Sequence, residues 1–147
     1  MRAVDTNVLV AAHVDTVPEH ETAHDLLILL AGGDLPWAIP WPCVYEFLRV
    51  VTHPRVFHPP LSADHALRSI GEILASPTVL LLSETTRHVE IMRRVIGESR
   101  ASGNLVHDAH IAALCLEHGV GEILTGDQDF TRFEGLRVVN PFADRAT

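Results

Sequence analysis

Aromatic side chains are scarce in this sequence, at 5% of 147 residues, yet hydrophobic residues as a class reach 47%. The core it builds is therefore aliphatic, and the apolar content excludes an intrinsically disordered chain. Long hydrophobic runs are also missing. None approaches the roughly 20 residues of a membrane span, and no basic stretch followed by an apolar core and cleavage site opens the chain, which points away from secretion. There are two cysteines, Cys43 and Cys115, without paired spacing and each in an apolar helical context. They read as buried free thiols, in keeping with a reducing cytoplasm, more readily than as a disulfide. Positive charge is in short supply: 11 basic against 19 acidic residues leave a net charge of −8. That excludes a simple electrostatic nucleic-acid binder, which needs a basic face. It does not exclude a nuclease whose metal ions neutralise the site locally, with Arg49, Arg55, Arg93, Arg94, Arg100 and Arg132 available to line a groove. The acidic surface also suits a basic protein partner. Walker glycine loop, G-x-S-x-G elbow and dinucleotide fingerprint are all absent.

What is present is an alternation of short apolar runs and helical patterns along the whole chain, with no repeat or interdomain linker. Strands are expected at Arg2 to Val4, Trp37 to Ile39, Val79 to Leu82, Glu122 to Leu124 and Leu136 to Val139. The run Val79-Leu80-Leu81-Leu82 has the continuous apolarity of a strand buried on both faces. Helices are expected from Thr6 to about His13, with Asp5 or Thr6 as the cap, and from Glu19 to Ala31, stopped by Gly32-Gly33. A third has Pro42 in its first turn and runs to Val51. The others span Ser62 to about Ala75, Thr86 to Arg100, and His107 to His118, with Gly119 as the last stop. Five strands interleaved with helices predict an α/β fold, a three-layer α/β/α sandwich on a mainly parallel five-stranded sheet, as one unit over 1–147.

Four acids stand where this pattern passes from strand to helix or opens an apolar segment: Asp5, Glu46, Asp108 and Asp127. Each has a bland reading. Asp5 and Asp108 are placed to cap helices, Glu46 to pair with Arg49 three residues on, and Asp127 to shape a turn. Together they have a sharper one. The carboxyl edge of a parallel sheet is where such folds bind ligands, and four carboxylates gathered there repel one another unless a divalent cation lies between them. Oxygen-only ligation suits Mg²⁺ or Mn²⁺, one or two ions, which activate water and align a phosphodiester. Asp127 is the fourth ligand by its nearness to the strand, with Asp129 as a capping or supporting residue; the choice between the two stays open. Asn7 is placed to hold Asp5, and the hydroxyls of Thr6 and Thr125 to orient water or phosphate. A histidine zinc site around His107 and His110 is disfavoured, because no second histidine follows at ligand spacing. Two other readings compete. An aspartyl-phosphate phosphatase of the haloacid-dehalogenase kind needs a second Asp where Asn7 stands. A catalytically silent acidic binding protein uses the acids only as caps and surface charge.

Asp5-Thr6-Asn7-Val8-Leu9, Glu46 within Glu46-Phe47-Leu48-Arg49, Asp108-Ala109-His110-Ile111-Ala112-Ala113-Leu114, and Thr125-Gly126-Asp127-Gln128-Asp129-Phe130 with Asn140-Pro141 behind it occur in that order over nearly the whole chain. This series resembles the PIN-domain ribonucleases, and within them the VapC-type toxins of bacterial toxin–antitoxin modules. The resemblance implies a parallel sheet, a Mg²⁺- or Mn²⁺-dependent endoribonuclease acting on RNA, a homodimer, and a cognate antitoxin that blocks the site.

Overall fold

β1 (Arg2–Val4) lies at the centre of an all-parallel sheet whose order is β3-β2-β1-β4-β5. The remaining strands are β2 (Trp37–Pro40), β3 (Val79–Leu82), β4 (Glu122–Leu124) and β5 (Arg137–Val139). The structure, a computed structural model, describes residues 1–143; positions 144–147 of the expected 1–147 unit lie outside the described residues. Ala3 sits in register with Ala38 on one side and Ile123 on the other, and all three side chains are fully buried. Neighbouring elements are α1 (Thr6–His13), α2 (His20–Gly32), α3 (Trp41–Val51), α4 (Ala63–Leu74), α5 (His88–Ser99) and α6 (Leu105–Glu117). A 3₁₀ helix, Gln128–Arg132, lies between β4 and β5.

Right-handed crossovers place α1 to α4 on one face of the sheet and α5 and α6 on the other, which makes the three layers. The chain moves outward from β1 through β2 to β3, then returns to the far side of β1 to lay down β4 and β5. Strand order therefore reverses between β1 and β4, and the carboxyl ends of those two strands flank the crevice where open α/β sheets take ligands. At the opposite end of the sheet, Arg2, Glu122 and Arg137 stand in register across β1, β4 and β5. Arg2 Nε lies 2.7 Å from one Glu122 oxygen, and Arg137 donates to the other. The buried acid that opens β4 is thus ion-paired on both sides, as a buried charge requires.

Three expectations need correction. β3 is not buried on both faces: it is the edge strand, and Leu80 is 48% exposed. α5 begins at His88, not Thr86, because Thr85 is drawn into hydrogen bonds with Glu117 from both its N–H and its hydroxyl. α6 begins at Leu105, ahead of the expected His107. Its opening N–H groups are met by backbone carbonyls three residues back, Leu105 to Ser102, Val106 to Gly103 and His107 to Asn104. Gly103, with φ of 59°, supplies the turn that makes this possible.

Candidate metal centre

A cleft of about 690 Å³ opens at the carboxyl ends of β1 and β4 and is lined by Asp5, Glu46, Asp108 and Asp127. The four acids come from four separate elements. Asp5 ends β1 and caps α1, Glu46 is in the middle of α3, Asp108 is in the first turn of α6, and Asp127 follows β4. Other lining residues include Glu19, just before α2, and Phe142, beyond β5, which sequence reasoning missed, and Asn140, which it noted only as part of the last motif. Glu19 and Phe142 carry no motif, and only the folded chain brings them here.

Asp5 is only 5% exposed and is held on both oxygens. Oδ1 accepts the Thr6 N–H at 2.7 Å and faces the Cys43 thiol at 3.6 Å. Oδ2 accepts the Thr125 hydroxyl at 2.7 Å and the Asn7 amide at 3.0 Å. Burial raises its pKa; the Thr125 and Thr6 hydrogen bonds pull the other way, and the Glu46 charge adds to the rise. Capping and membership of the acidic group thus coexist in one carboxylate.

Asn7 and Thr125 clasp the β1 end to the β4 end. Asn7 Nδ2 donates to Thr125 Oγ1 at 2.8 Å as well as to Asp5, and Asn7 Oδ1 accepts the Gly126 N–H at 3.1 Å. Thr125 Oγ1 also accepts the Asp127 N–H at 3.0 Å. With its one hydrogen given to Asp5 and no exposed surface, Thr125 serves this network and does not orient water or phosphate, contrary to the expectation. A side chain at Gly126 would press on the Phe142 ring, whose Cδ2 would lie 3.2 Å from an added Cβ. Thr6 likewise spends its hydroxyl on a neighbour, donating to Glu46 Oε2 at 3.1 Å, while Glu46 Oε1 lies 3.5 Å from Arg49. The bland partner of Glu46 is present, and so is its place in the cleft.

Because α6 starts three residues earlier, Asp108 caps nothing. It faces the cleft, and its pKa is pushed up to about 7, first by burial and then by the charges of Asp127, Asp5, Asp129 and Glu46. Capping falls to Asp127, whose Oδ1 accepts the Asp129 N–H at 2.9 Å and opens the 3₁₀ helix. The cap expected of Asp129 is thus made by Asp127, which also lines the cleft, while Asp129 falls in the first turn of the 3₁₀ helix. Oxygens of Asp108, Asp127 and Asp129 nevertheless lie within 4.8 Å of one another. None of the expected groove arginines lines the cleft. An oxygen-only donor set in which, among the described residues, only Glu46 is met by an arginine fits a hard divalent cation. The two cysteines are free and buried; burial pushes Cys115 up to about 12 and Cys43 well above its usual range. Neither is a nucleophile at neutral pH.

Residues 2–136 match the model of the PIN domain family. The chain is 38% identical over 140 residues to Ribonuclease VapC48 of Mycobacterium tuberculosis, covering 95% of this chain and 96% of that one. Ribonuclease VapC43 of the same organism is 38% identical over 141 residues, covering 96% and 95%. Among solved structures, VapBC2 from Rickettsia felis, bound to a DNA fragment from its promoter, has a TM-score of 0.68 at 17% identity, over 95% of this chain and 97% of that one. M. tuberculosis VapC20, described as a sarcin–ricin-loop-cleaving toxin, has a TM-score of 0.65 at 16% identity, over 93% and 99%. The architecture, the order of the motifs and these likenesses agree: the chain belongs to the PIN-domain family, among relatives of the VapC type.

Proposed function

We propose that the chain is a Mg²⁺- or Mn²⁺-dependent endoribonuclease and the toxin of a toxin–antitoxin pair. The observation that carries this is the convergence of Asp5, Glu46, Asp108 and Asp127 on one cleft, where among the described residues only Glu46 is met by an arginine, Arg49. Asp5, Glu46, Asp108 and Asp127 would hold the ion, and Asp129 lies within reach of Asp108 and Asp127. When bound, a divalent ion supplies Lewis acidity toward the phosphodiester and lowers the pKa of water.

The chain's own contribution is positioning. Asp5 is held rigid by Thr6, Asn7 and Thr125, so its carboxylate needs no reorganisation when the cation arrives. Asp108, raised to about 7 in the metal-free chain by burial and its acidic neighbours, would be favoured as the carboxylate by a cation bound there. Glu46, tethered at Oε2 by the Thr6 hydroxyl and more exposed than Asp5, keeps its place in the wall of the cleft. The same acidic cleft is the surface a basic antitoxin side chain would fill, and self-association gives the homodimer. Buried reduced thiols suit the cytoplasm, and no helix among the described residues is long and apolar enough to cross a membrane.

The aspartyl-phosphate reading finds no support: Asn7 stands where that chemistry needs an acid, and its amide is committed to the clasp. The test is cleavage of total RNA by the purified chain with Mn²⁺ and with a chelator. Asp5→Asn and Asp108→Asn should each lower the rate by about 10²–10³-fold, as removal of several kcal/mol of metal-borne stabilisation implies. Cleavage at the parent rate by both variants, or in the chelator, would overturn the assignment.

A further inference from the structure

Glu84, in the loop between β3 and α5, His88, at the start of α5, and His110, on α6, bring ligand atoms within 4.8 Å of one another. His110 Nε2 is 2.8 Å from Glu84 Oε1. The two imidazoles stand edge to face with ring centres 5.3 Å apart. Two imidazoles on one tetrahedral Zn²⁺, each nitrogen at about 2.0–2.1 Å, put their ring centres about 5.2 Å apart. The observed spacing is that of a ligand pair.

His88 is also oriented from behind. Its Nδ1 lies 2.5 Å from Glu117 Oε2, and the Glu117 side chain is fully covered. The other Glu117 oxygen accepts the Thr85 N–H at 3.0 Å and hydroxyl at 2.8 Å. A carboxylate fixed in this way sets the ring and leaves Nε2 as the free nitrogen, which is how ligating histidines are commonly held. None of these residues lines the acidic cleft. His110 follows Asp108 by two residues, about 200° further round α6.

We propose that Glu84, His88 and His110 form a transition-metal site, taking Zn²⁺ in preference to Mg²⁺, that ties α5 to α6 on the side of α6 turned away from Asp108. Two imidazole nitrogens and one carboxylate oxygen suit Zn²⁺ and leave a fourth position for water. Since α6 also carries Asp108, an ion here fixes that helix without entering the cleft.

The probe is Zn²⁺ alone, titrated calorimetrically into the full chain. The acidic cleft is a competing sink, so the parent background is Asp108→Asn. Expected there is a Zn²⁺ isotherm that His88→Gln, His110→Gln and the exposed Glu84→Gln each weaken by about 10-fold or more. Imidazole ¹⁵N spectra of the unsubstituted chain provide a second reading that does not depend on any variant folding. Zn²⁺ should move the His88 and His110 signals together, and excess Mg²⁺ should leave them in place. Absence of a Zn²⁺ isotherm, an isotherm indifferent to all three substitutions, or imidazole signals that ignore Zn²⁺ would each overturn the proposal.

Discussion

At the scale of single residues the clasp turns on Thr125, whose hydroxyl makes three hydrogen bonds in a fully buried position. Thr125→Val keeps the shape and leaves the Asp5 oxygen, the Asn7 amide and the Asp127 N–H short of a partner. The expected cost is about 1–3 kcal/mol, because an unsatisfied buried polar group forfeits its full desolvation. Thr125→Ser retains the hydroxyl and should cost well under half as much; urea unfolding of both variants checks the difference. Equal losses would mean that the methyl group matters as much as the hydroxyl, and no loss in Thr125→Val would remove the hydroxyl's role. Asp108 carries the second residue-scale prediction. Burial and its acidic neighbours raise it from the ordinary 3.8 to about 7. Between those values the folded chain binds more protons than the unfolded one, so this group makes stability fall as pH rises. In chelator, the parent should therefore lose more melting temperature than Asp108→Asn between pH of about 4 and about 7. Indistinguishable pH profiles would remove Asp108 from the group of interacting acids.

At the scale of elements, α5 ends on Arg100 in the left-handed region, at φ 56°. That conformation costs a non-glycine residue about 1–2 kcal/mol, part of which glycine gives back as unfolded-state entropy. Arg100→Gly should raise stability by about 0.5–1 kcal/mol, seen as a higher urea midpoint at unchanged slope. Since Arg100 does not line the cleft, RNA cleavage should be unaffected, against the reading of this arginine as a groove residue. The strands were legible because each is a short apolar run at a turn, and β1, β3 and β4 fall where the pattern placed them. Asp5, Asp108 and Asp127 were legible for a related reason, since strand ends and helix starts are marked in sequence and the parallel topology brings them together; Glu46, in the middle of α3, was marked only as an acid interrupting an apolar segment. Starts made by the backbone alone were not. Nothing in the side chains of Asn104 to His107 records that Ser102 and Gly103 carbonyls open α6, so Asp108 read as a cap. The 3₁₀ helix was hidden in the same way, and with it the capping role of Asp127. The Glu84, His88 and His110 group has no local spacing at all, because it is assembled from a loop and two helices.

At the scale of the molecule, a net charge of −8 and an acid-lined cleft face a polyanionic substrate. Repulsion then dominates until cations enter the cleft, so metal and RNA should bind with positive coupling. Mg²⁺ or Mn²⁺ should first raise the melting temperature of the free chain, by about 2.7 kcal/mol of stabilisation at a hundred times the dissociation constant. Asp108→Asn should blunt that rise. RNA binding, followed by fluorescence anisotropy on an oligonucleotide made resistant to cleavage, should be undetectable in chelator and appear with the divalent ion. Its salt dependence carries the diagnostic. Each phosphate neutralised by a cationic side chain contributes a slope of about −0.7 for single strands, and among the described residues no arginine lines the cleft. If the ion and stacking supply the contacts, the slope should be shallower than about −2. A steep slope with full binding in chelator would mean that RNA is held on an arginine face elsewhere on the molecule, and the acidic cleft would then act on a substrate anchored at a distance.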